Sequence, residues 1–158
     1  MGMNLEIRKP KNVGGEPVGD ILVEARRELK AGTLSPDLVP SLIDEIPIMA
    51  VLATQAKGKT VFSGLAELRL KETDRLKALS TNLNLIGAKV EETKDGLIID
   101  GPTPLKGGEV DSFSDHRIAM SMAVAGLISK IGVTVKGSES VAISFPSFWK
   151  IINELCGN

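Results

Sequence analysis

The densest group of charged residues in the sequence is the run Lys71-Glu72-Thr73-Asp74-Arg75. Lys71 and Arg75 stand four positions apart, so on a helix they would share one face and could clamp an anion. Backbone N–H groups at the start of such a helix would attract the same anion. Glu72, beside the two cations, is then a candidate for proton transfer. A solvated helix start, crossed by ion pairs three and four residues apart, is the alternative interpretation.

A second polar group is the stretch S-F-S-D-H-R at 112–117, where a loop is expected to enter another helix. Its second serine or its aspartate could cap that helix. Arg117 carries the planar guanidinium that suits a phosphate or a carboxylate. His116 is the single histidine and Cys156 the single cysteine, so no metal site is expected. A structural or merely exposed His-Arg pair remains the alternative.

Asp44 and Glu45 form a third group, directly before Ile46-Pro47. Two acids at this point match the positive end of a helix dipole, an explanation that requires no ligand. The three groups nevertheless share one pattern, because each opens an expected helix whose body is apolar. Helix starts that converge on one cleft would form a site for a multiply charged phosphate ligand. The sequence contains no glycine-rich loop of the type that surrounds nucleotide phosphates.

Hydrophobic periodicity predicts the elements that would position these groups. Strands are expected at 5–8, 20–24, 59–62, 89–91, 97–99 and 133–135. Helices with apolar residues at spacings of three and four are expected at 43–57, 71–86, 115–130 and 145–155. The turn at 94–96 (K-D-G) favours a hairpin, whereas the stretch before residue 115 is expected to be a loop.

Two segments of the chain resemble each other, A-K-G-K-T-V-F-S-G at 56–64 and S-K-I-G-V-T-V-K-G at 129–137. The aligned pairs, each 74 positions apart, are Gly58 with Gly132, Thr60 with Thr134 and Val61 with Val135. We interpret them as an internal repeat of a unit with two helices and several strands, with approximate copies at 1–86 and 87–158. Coincidence is the alternative, because a helix that ends in glycine before a Thr-Val strand is common.

The composition is that of a globular protein. The 158 residues have a net charge of -1, with 42% hydrophobic, 25% charged and 3% aromatic residues. Without an excess of positive charge, binding to nucleic acid or to an anionic membrane is not expected. The apolar-rich stretch at 118–128 is too short to span a bilayer, and the N-terminal sequence lacks the apolar core of a signal peptide. We therefore expect a cytoplasmic protein.

Longer motifs surround the three charged groups. L-I-D-E-I-P (42–47), E-L-R-L-K-E-T-D-R-L (67–76) and S-D-H-R-I-A-M (114–120) occur in this order, flanked by G-G-E-P-V-G-D (14–20) and F-P-S-F (145–148). The combination resembles the 5-enolpyruvylshikimate-3-phosphate (EPSP) synthase family over essentially the whole chain. Members of that family are longer and have two lobes, and this chain is similar to their C-terminal portion.

The resemblance implies an α/β (α+β) fold of repeated βαβαββ units, with helix N-termini facing the cleft between the lobes. Residues 1–158 would form a single partial domain of about two such units, part of one lobe. The implied reaction transfers the carboxyvinyl group of phosphoenolpyruvate to the 5-hydroxyl of shikimate 3-phosphate and releases phosphate. By resemblance, Asp44 accepts the proton of that hydroxyl, and Glu72 is a second proton-transfer carboxylate.

The resemblance also assigns the substrate-binding residues. Lys71 would contact shikimate 3-phosphate and the reaction intermediate, Arg75 and Arg117 would bind phosphoenolpyruvate, and His116 would be an adjacent cleft residue. No metal and no organic cofactor are implied.

Part of the family's site has no counterpart in this chain. Some members carry a lysine shortly before the F-P motif, but the corresponding stretch here, 141–144 (V-A-I-S), contains none. The family's N-terminal Lys and Arg and its Ser-Ser-Gln motif have no counterpart anywhere in this chain. We therefore expect an expressed fragment that is inactive alone and whose partner is the missing N-terminal lobe. A UDP-amino-sugar enolpyruvyl transferase and a stand-alone phosphate-binding or interaction module are the alternatives.

Overall fold

The computed structural model describes residues 1–24 and 28–157, which combine helices and strands. The strands are β1 (Asn4–Val13), β2 (Glu16–Glu24), β3 (Gly58–Phe62), β4 (Lys89–Thr93), β5 (Gly96–Gly101), β6 (Gly108–Asp111) and β7 (Val133–Lys136). The helices are α1 (Val39–Leu42), α2 (Ile46–Ala53), α3 (Arg75–Leu85), α4 (His116–Leu127) and α5 (Phe148–Leu155). Short 3-10 helices occupy Pro36–Leu38, Ile43–Glu45, Ala66–Leu70 and Ser138–Ile143.

Each predicted helix is present but shorter than expected. The prediction that a helix begins at Lys71 is wrong, because Asp74 caps α3 by accepting the Lys77 N–H at 3.0 Å and the helix begins at Arg75. The predicted start at residue 43 is likewise wrong, since Ile43–Glu45 is a 3-10 turn ahead of α2. The predicted ends at residues 57 and 130 overshoot α2 and α4, and α5 begins three residues after the predicted start at residue 145.

The strands form three small sheets. β1 and β2 form an antiparallel hairpin, β3, β5 and β4 form an antiparallel sheet with β5 in the centre, and β6 pairs with β7 in parallel. The hairpin predicted at 94–96 is confirmed as the β4–β5 connection. A side chain at Gly96 would collide with the carbonyl oxygen of Phe62, so this turn lies directly against β3. The expected loop before residue 115 contains β6, which sequence analysis missed.

The main core lies between α2, α3, α4 and the β3–β5–β4 sheet. Aliphatic side chains fill it, and six that are completely buried are Ile46, Leu76, Leu79, Leu83, Leu97 and Ile118. Burial of each such side chain contributes on the order of 1.5–3 kcal/mol to folding. α5 packs instead on a smaller cluster built from Ala119, Val141 and Phe148. The apolar face of α4 therefore connects the two clusters.

The order of elements is repeated along the chain. α2, β3, the 3-10 helix Ala66–Leu70 and α3 follow one another, and so do α4, β7, the 3-10 helix Ser138–Ile143 and α5. This order agrees with the predicted repeat, although β3 pairs in antiparallel and β7 in parallel. The division into copies at 1–86 and 87–158 stays a prediction.

The helices are short relative to the thickness of a bilayer. Among the helices of residues 1–24 and 28–157, none is both long enough and apolar enough to cross a bilayer.

Candidate active site

The three charged groups identified in the sequence meet at one place. Asp44 lies in the 3-10 turn before α2, Lys71 follows the 3-10 helix Ala66–Leu70, and Arg117 is the second residue of α4. Lys71 Nζ lies 3.9 Å from Asp44 Oδ1, and Arg117 Nη2 lies 3.6 Å from Asp44 Oδ2. The expectation that these groups lie on one side of the molecule is therefore confirmed.

Arg75, the first residue of α3, is the centre of the arrangement. Its side chain is 1% exposed, and its guanidinium donates to three carboxylates. The distances are 2.7 Å from Nε to Asp115, 3.0 Å from Nη1 to Asp44 and 2.7 Å from Nη2 to Glu72. A buried charge requires such compensation, and the planar guanidinium can face several acceptors at once.

Asp115 performs two tasks with its two carboxylate oxygens. Oδ1 caps α4 by accepting the backbone N–H groups of Arg117 (2.8 Å) and Ile118 (3.1 Å), whereas Oδ2 accepts from Arg75. The preceding residues Phe113 and Ser114 have positive φ angles of 52° and 60°, which turn the chain sharply into the helix. Asp115 is completely buried and thereby joins the starts of α3 and α4.

Arg117 extends from α4 to the turn before α2. Its Nη1 donates to the backbone carbonyl of Asp44 at 2.8 Å and to Glu45 Oε1 at 3.2 Å. The side chain is 30% exposed, so one side of this guanidinium faces water. Arg117 thus helps to orient Asp44 while remaining accessible to a ligand.

Lys71 lies between Asp44 and Glu67. Its Nζ contacts Glu67 Oε1 at 2.8 Å, and this hydrogen bond raises the pKa of the Lys71 ammonium above its ordinary value, with a smaller contribution from Asp44. The glutamate is 65% exposed, so solvent weakens the pair. Lys71 is therefore a charged, accessible cation whose present partner is easily exchanged.

His116 begins α4 next to Glu72. Its Nδ1 lies 3.8 Å from Glu72 Oε1, beyond the length of a good hydrogen bond, and its side chain is 19% exposed. Glu72 holds Arg75 with its other oxygen. The imidazole is thus close to the carboxylate that sequence analysis selected for proton transfer.

A shallow depression of about 180 Å³ opens beside these charges. Asp44, Glu45 and Arg117 form its polar edge, whereas Ile48 and Phe148 belong to its apolar wall. Small organic anions combine these two characters, so the depression can accommodate the apolar part of such a molecule next to the cations.

Two expectations about anion binding are wrong. Lys71 and Arg75 do not share a helix face, because Lys71 precedes α3 and the guanidinium of Arg75 is buried among carboxylates. Nor are the first N–H groups of the helices fully available to a ligand, since Asp74 and Asp115 already accept hydrogen bonds from those of α3 and α4. Helix starts do converge, but their own carboxylates neutralise them.

Sequence analysis missed three residues that complete this group. Asp115 was considered only as a possible cap, whereas Glu45 and Glu67 were not assigned as partners of Arg117 and Lys71. The signal for Glu67 was available, because it stands four residues before Lys71. The long-range partners of Arg75 had no such local signal.

The site combines carboxylates and cations that are partly shielded from water. Arg75 and Arg117 hold the carboxylate of Asp44 in place, and this carboxylate can accept a proton from a substrate hydroxyl. Arg117 and Lys71 can bind phosphate or carboxylate oxygens if the exposed glutamates give way. The site therefore suits proton transfer on an anionic substrate.

The chain is similar to known proteins along nearly its whole length. A family model described as EPSP synthase (3-phosphoshikimate 1-carboxyvinyltransferase) matches residues 3–152. Relatives named 3-phosphoshikimate 1-carboxyvinyltransferase include one from Thermodesulfovibrio yellowstonii, 46% identical over 155 residues, and one from Gloeothece citriformis, 48% identical over 156 residues. The alignments cover 98% and 99% of this chain but 36% and 35% of the relatives. The chain thus spans about a third of their length.

Solved structures give the same result. An EPSP synthase from Acinetobacter baumannii superposes with a TM-score of 0.92 at 41% identity, covering 98% of this chain and 36% of that one. The enolpyruvyl transferase NikO from Streptomyces tendae superposes with a TM-score of 0.66 at 19% identity, covering 99% of this chain and 33% of that one, and shares the fold alone. The expected α/β fold of the enolpyruvyl transferase type is confirmed.

Proposed function

The chain belongs to the EPSP synthase family, and from this premise we propose that it supplies one part of a 3-phosphoshikimate 1-carboxyvinyltransferase active site. The observation that carries the proposal is the convergence of Lys71, Arg75 and Arg117 on the carboxylate of Asp44, within 3.9, 3.0 and 3.6 Å. The reaction moves the carboxyvinyl group of phosphoenolpyruvate to the 5-hydroxyl of shikimate 3-phosphate.

The chemistry proceeds by addition and elimination. In the addition, Asp44 accepts the hydroxyl proton while the hydroxyl oxygen bonds to C2 of phosphoenolpyruvate, and an acid protonates C3. In the elimination, C3 loses a proton, the double bond returns, and the C2–O bond to phosphate breaks. Glu72 is the second proton-transfer carboxylate, and its position against Arg75 and His116 supports this role.

The cations bind the charged groups of the substrates. Lys71 contacts shikimate 3-phosphate and the intermediate, and Arg117 binds phosphoenolpyruvate, with His116 alongside. Arg75 also binds phosphoenolpyruvate, but only where one of its three carboxylates gives way, because its side chain is 1% exposed. Lys71 and Arg117 are held by the exposed glutamates Glu67 and Glu45, and surface pairs of this kind contribute about 0–1 kcal/mol. A substrate phosphate can replace those glutamates at little cost.

The rest of the proposed active site lies in the part of the longer family members that this chain does not span, including their N-terminal lobe. We propose that residues 1–158 correspond to the C-terminal portion, that they form one partial domain, and that the protein is cytoplasmic. The sequence motifs support the first two statements. The chain alone is expected to be inactive.

A ligand titration tests the site without requiring turnover. Two exposed contacts, from Lys71 and Arg117, of about 0–1 kcal/mol each give at most about 2 kcal/mol, less than the roughly 4 kcal/mol of a millimolar ligand. Phosphoenolpyruvate should therefore bind in the millimolar range or more weakly, with amide shifts centred on 71–75 and 114–118, and added salt should weaken it.

Arg117→Gln should reduce the affinity for phosphoenolpyruvate up to about fivefold, because it removes one such contact. The control Arg8→Gln, in the distant hairpin, should not. Shifts scattered over all surface lysines would contradict the proposal.

An activity assay tests the reaction itself. The part of the Thermodesulfovibrio yellowstonii relative that this chain does not match can be supplied as a separate polypeptide. Phosphate release should require both chains, and Asp44→Asn or Glu72→Gln should lower it by about a hundredfold or more. Release by this chain alone, or turnover unaffected by both substitutions, would overturn the assignment.

A further inference from the structure

Arg69 lies two residues before Lys71 but makes its contacts away from the charged site. Its Nε donates to the carbonyl of Lys94 at 3.0 Å, and its Nη2 donates to the carbonyl of Thr93 at 2.7 Å. Its Nη1 contacts Asp74 Oδ2 at 2.7 Å and Glu92 Oε1 at 2.8 Å. One side chain thus joins the 3-10 helix Ala66–Leu70, the β4–β5 turn and the cap of α3.

The segment between Arg69 and Asp74 carries two of the proposed site residues. Lys71 has extended backbone angles, and 71–74 form neither helix nor strand, so the backbone hydrogen bonds of a regular element do not hold them. The Arg69–Asp74 ion pair closes this segment into a short loop, with Lys71 and Glu72 inside it. Because the loop is short and its ends are fixed, the side chains it carries have little freedom.

The partners of Arg69 outside the loop are held by regular structure. Glu92 is part of β4, and its Oε2 accepts a hydrogen bond from Ser80 of α3 at 2.9 Å. The turn also holds the chain upstream of the loop, since the backbone N–H groups of Gly64 and Leu65 donate to Asp95. Arg69 is 26% exposed and both acidic partners about a third exposed, so these contacts are partly shielded from water. The two carboxylates also raise the pKa of the Arg69 guanidinium, which therefore stays charged.

From this geometry we propose that Arg69 is a positioning residue of the active site: by tying Asp74 to the β4–β5 turn, it fixes Lys71 and Glu72 relative to Asp44 and Arg75. The inference rests on the proposed function, because it concerns the residues assigned there. Arg69 itself contacts none of the four site groups through the bonds described above, and it acts through the loop. Its planar guanidinium reaches two carbonyls and two carboxylates at once, which a lysine cannot do.

The competing explanation is that Arg69 only stabilises the fold. Glu92→Gln separates the two explanations, because it removes the Arg69–Glu92 ion pair but leaves Asp74 and both turn carbonyls in contact with Arg69. Arg69→Gln removes all of them. Both variants lose stability, whereas only Arg69→Gln releases the loop. Arg69→Lys retains the charge without the carbonyl contacts and gives an intermediate result.

The test is made on the full chain by NMR, after urea unfolding has established that each variant is folded. In Arg69→Gln, the backbone order parameters of 71–73 should fall from about 0.85 to below about 0.6. The pKa of Lys71 should fall towards its ordinary value as the lysine leaves Glu67 and Asp44. Glu92→Gln should show neither change. Equal effects in the two variants, or an unchanged Lys71 in Arg69→Gln and Arg69→Lys, would overturn the proposal.

If Arg69→Gln does not fold, the comparison of Arg69→Lys with Glu92→Gln distinguishes the same two explanations. An inorganic phosphate titration then separates this proposal from the proposed function. A released loop should weaken the shifts at 71–75 severalfold in Arg69→Gln but not in Glu92→Gln. If phosphate does not bind the unaltered chain, the proposed function fails there, whereas the order-parameter and pKa measurements still decide the role of Arg69.

Discussion

The segment from β3 to α3 and the segment from β7 to α5 have the same order of elements, a strand, a 3-10 helix and an α-helix, but their helices differ in burial and charge. α3 buries seven of its eleven residues, and its first residue is the buried Arg75. α5 buries one of its eight residues, Phe148, and its start is aromatic rather than charged. At the offset of 74, Arg75 corresponds to Trp149 and Asp74 corresponds to Phe148.

The difference teaches that the repeated order carries the fold and not the chemistry. The start of α5 lies at the depression, which Phe148 lines together with Arg117 of α4. The start of α3 instead places Arg75 in the neighbouring charged group, against Asp44 and Asp115. One segment contributes cations and carboxylates, and the other an apolar wall. A repeated unit can therefore specialise by changing the few residues at a helix start while its strand and helix body remain.

The largest expected effect concerns Arg75 and Trp149, which correspond to each other at the offset of 74. Arg75→Met leaves the completely buried Asp115 without its guanidinium, so the free energy of unfolding should fall by about 3–5 kcal/mol. Trp149→Ala removes a half-buried ring in edge contact with Phe148 and should cost about 1–2 kcal/mol. Urea unfolding of both variants measures the difference. A larger loss from Trp149→Ala would mean that α5, rather than the charged centre, holds the fold.

A smaller effect is expected at the helix caps. Asp74→Ala removes both the cap of α3 and the partner of Arg69, and should lower the free energy of unfolding by about 1–2 kcal/mol. Ser147→Ala should change it by less than about 0.5 kcal/mol, because Ser147 makes no side-chain cap in the structure of residues 28–157. Asp74→Asn is the control, since asparagine still caps but has no charge. Equal losses at Asp74 and Ser147 would contradict the described caps.

The smallest effect is a pair of titrations. Lys71 and Lys136 donate hydrogen bonds to Glu67 and Glu109, and these bonds raise the pKa values of the two ammonium groups above their ordinary value. A cation whose pKa is raised by folding adds stability below its ordinary pKa, and this contribution is lost as the pH rises through the raised value. Glu67→Gln should lower the pKa of Lys71 and leave Lys136 unchanged, and Glu109→Gln should do the reverse. NMR titration of the lysine Cε and Nζ signals checks both, and a shift of both lysines in either variant would contradict the separate pairs.

Local sequence signals predicted much of the fold. The Lys94-Asp95-Gly96 turn and the apolar spacing of Leu76, Leu79 and Leu83 are short-range patterns, and the structure confirms the elements they predict. The strand β6 was missed because it is short, has one buried apolar residue and pairs with β7, far away in the sequence. Pairing with β7 stabilises this strand, and no local sequence pattern predicts it.

The candidate site was predicted as a set of residues but not as a set of contacts. Asp44, Lys71, Glu72, Arg75, His116 and Arg117 do lie together, as their position at expected helix starts suggested. Their pairing could not be derived, because a run such as K-E-T-D-R does not say which charge is buried. Tertiary packing decides that Arg75 points inwards and Lys71 outwards.

Arg75 also has a consequence for how the molecule folds. Its guanidinium joins Asp44, 31 positions earlier in the chain, to Asp115, 40 positions later. Contacts at such separations form after the intervening loops have closed, and this requirement slows folding. An intermediate that has formed only the β4–β5 hairpin and the adjacent α3 therefore has no assembled centre. Until these contacts form, the charged groups are hydrated separately, so the unfinished site presents hydrophilic surface rather than an apolar patch to neighbouring chains.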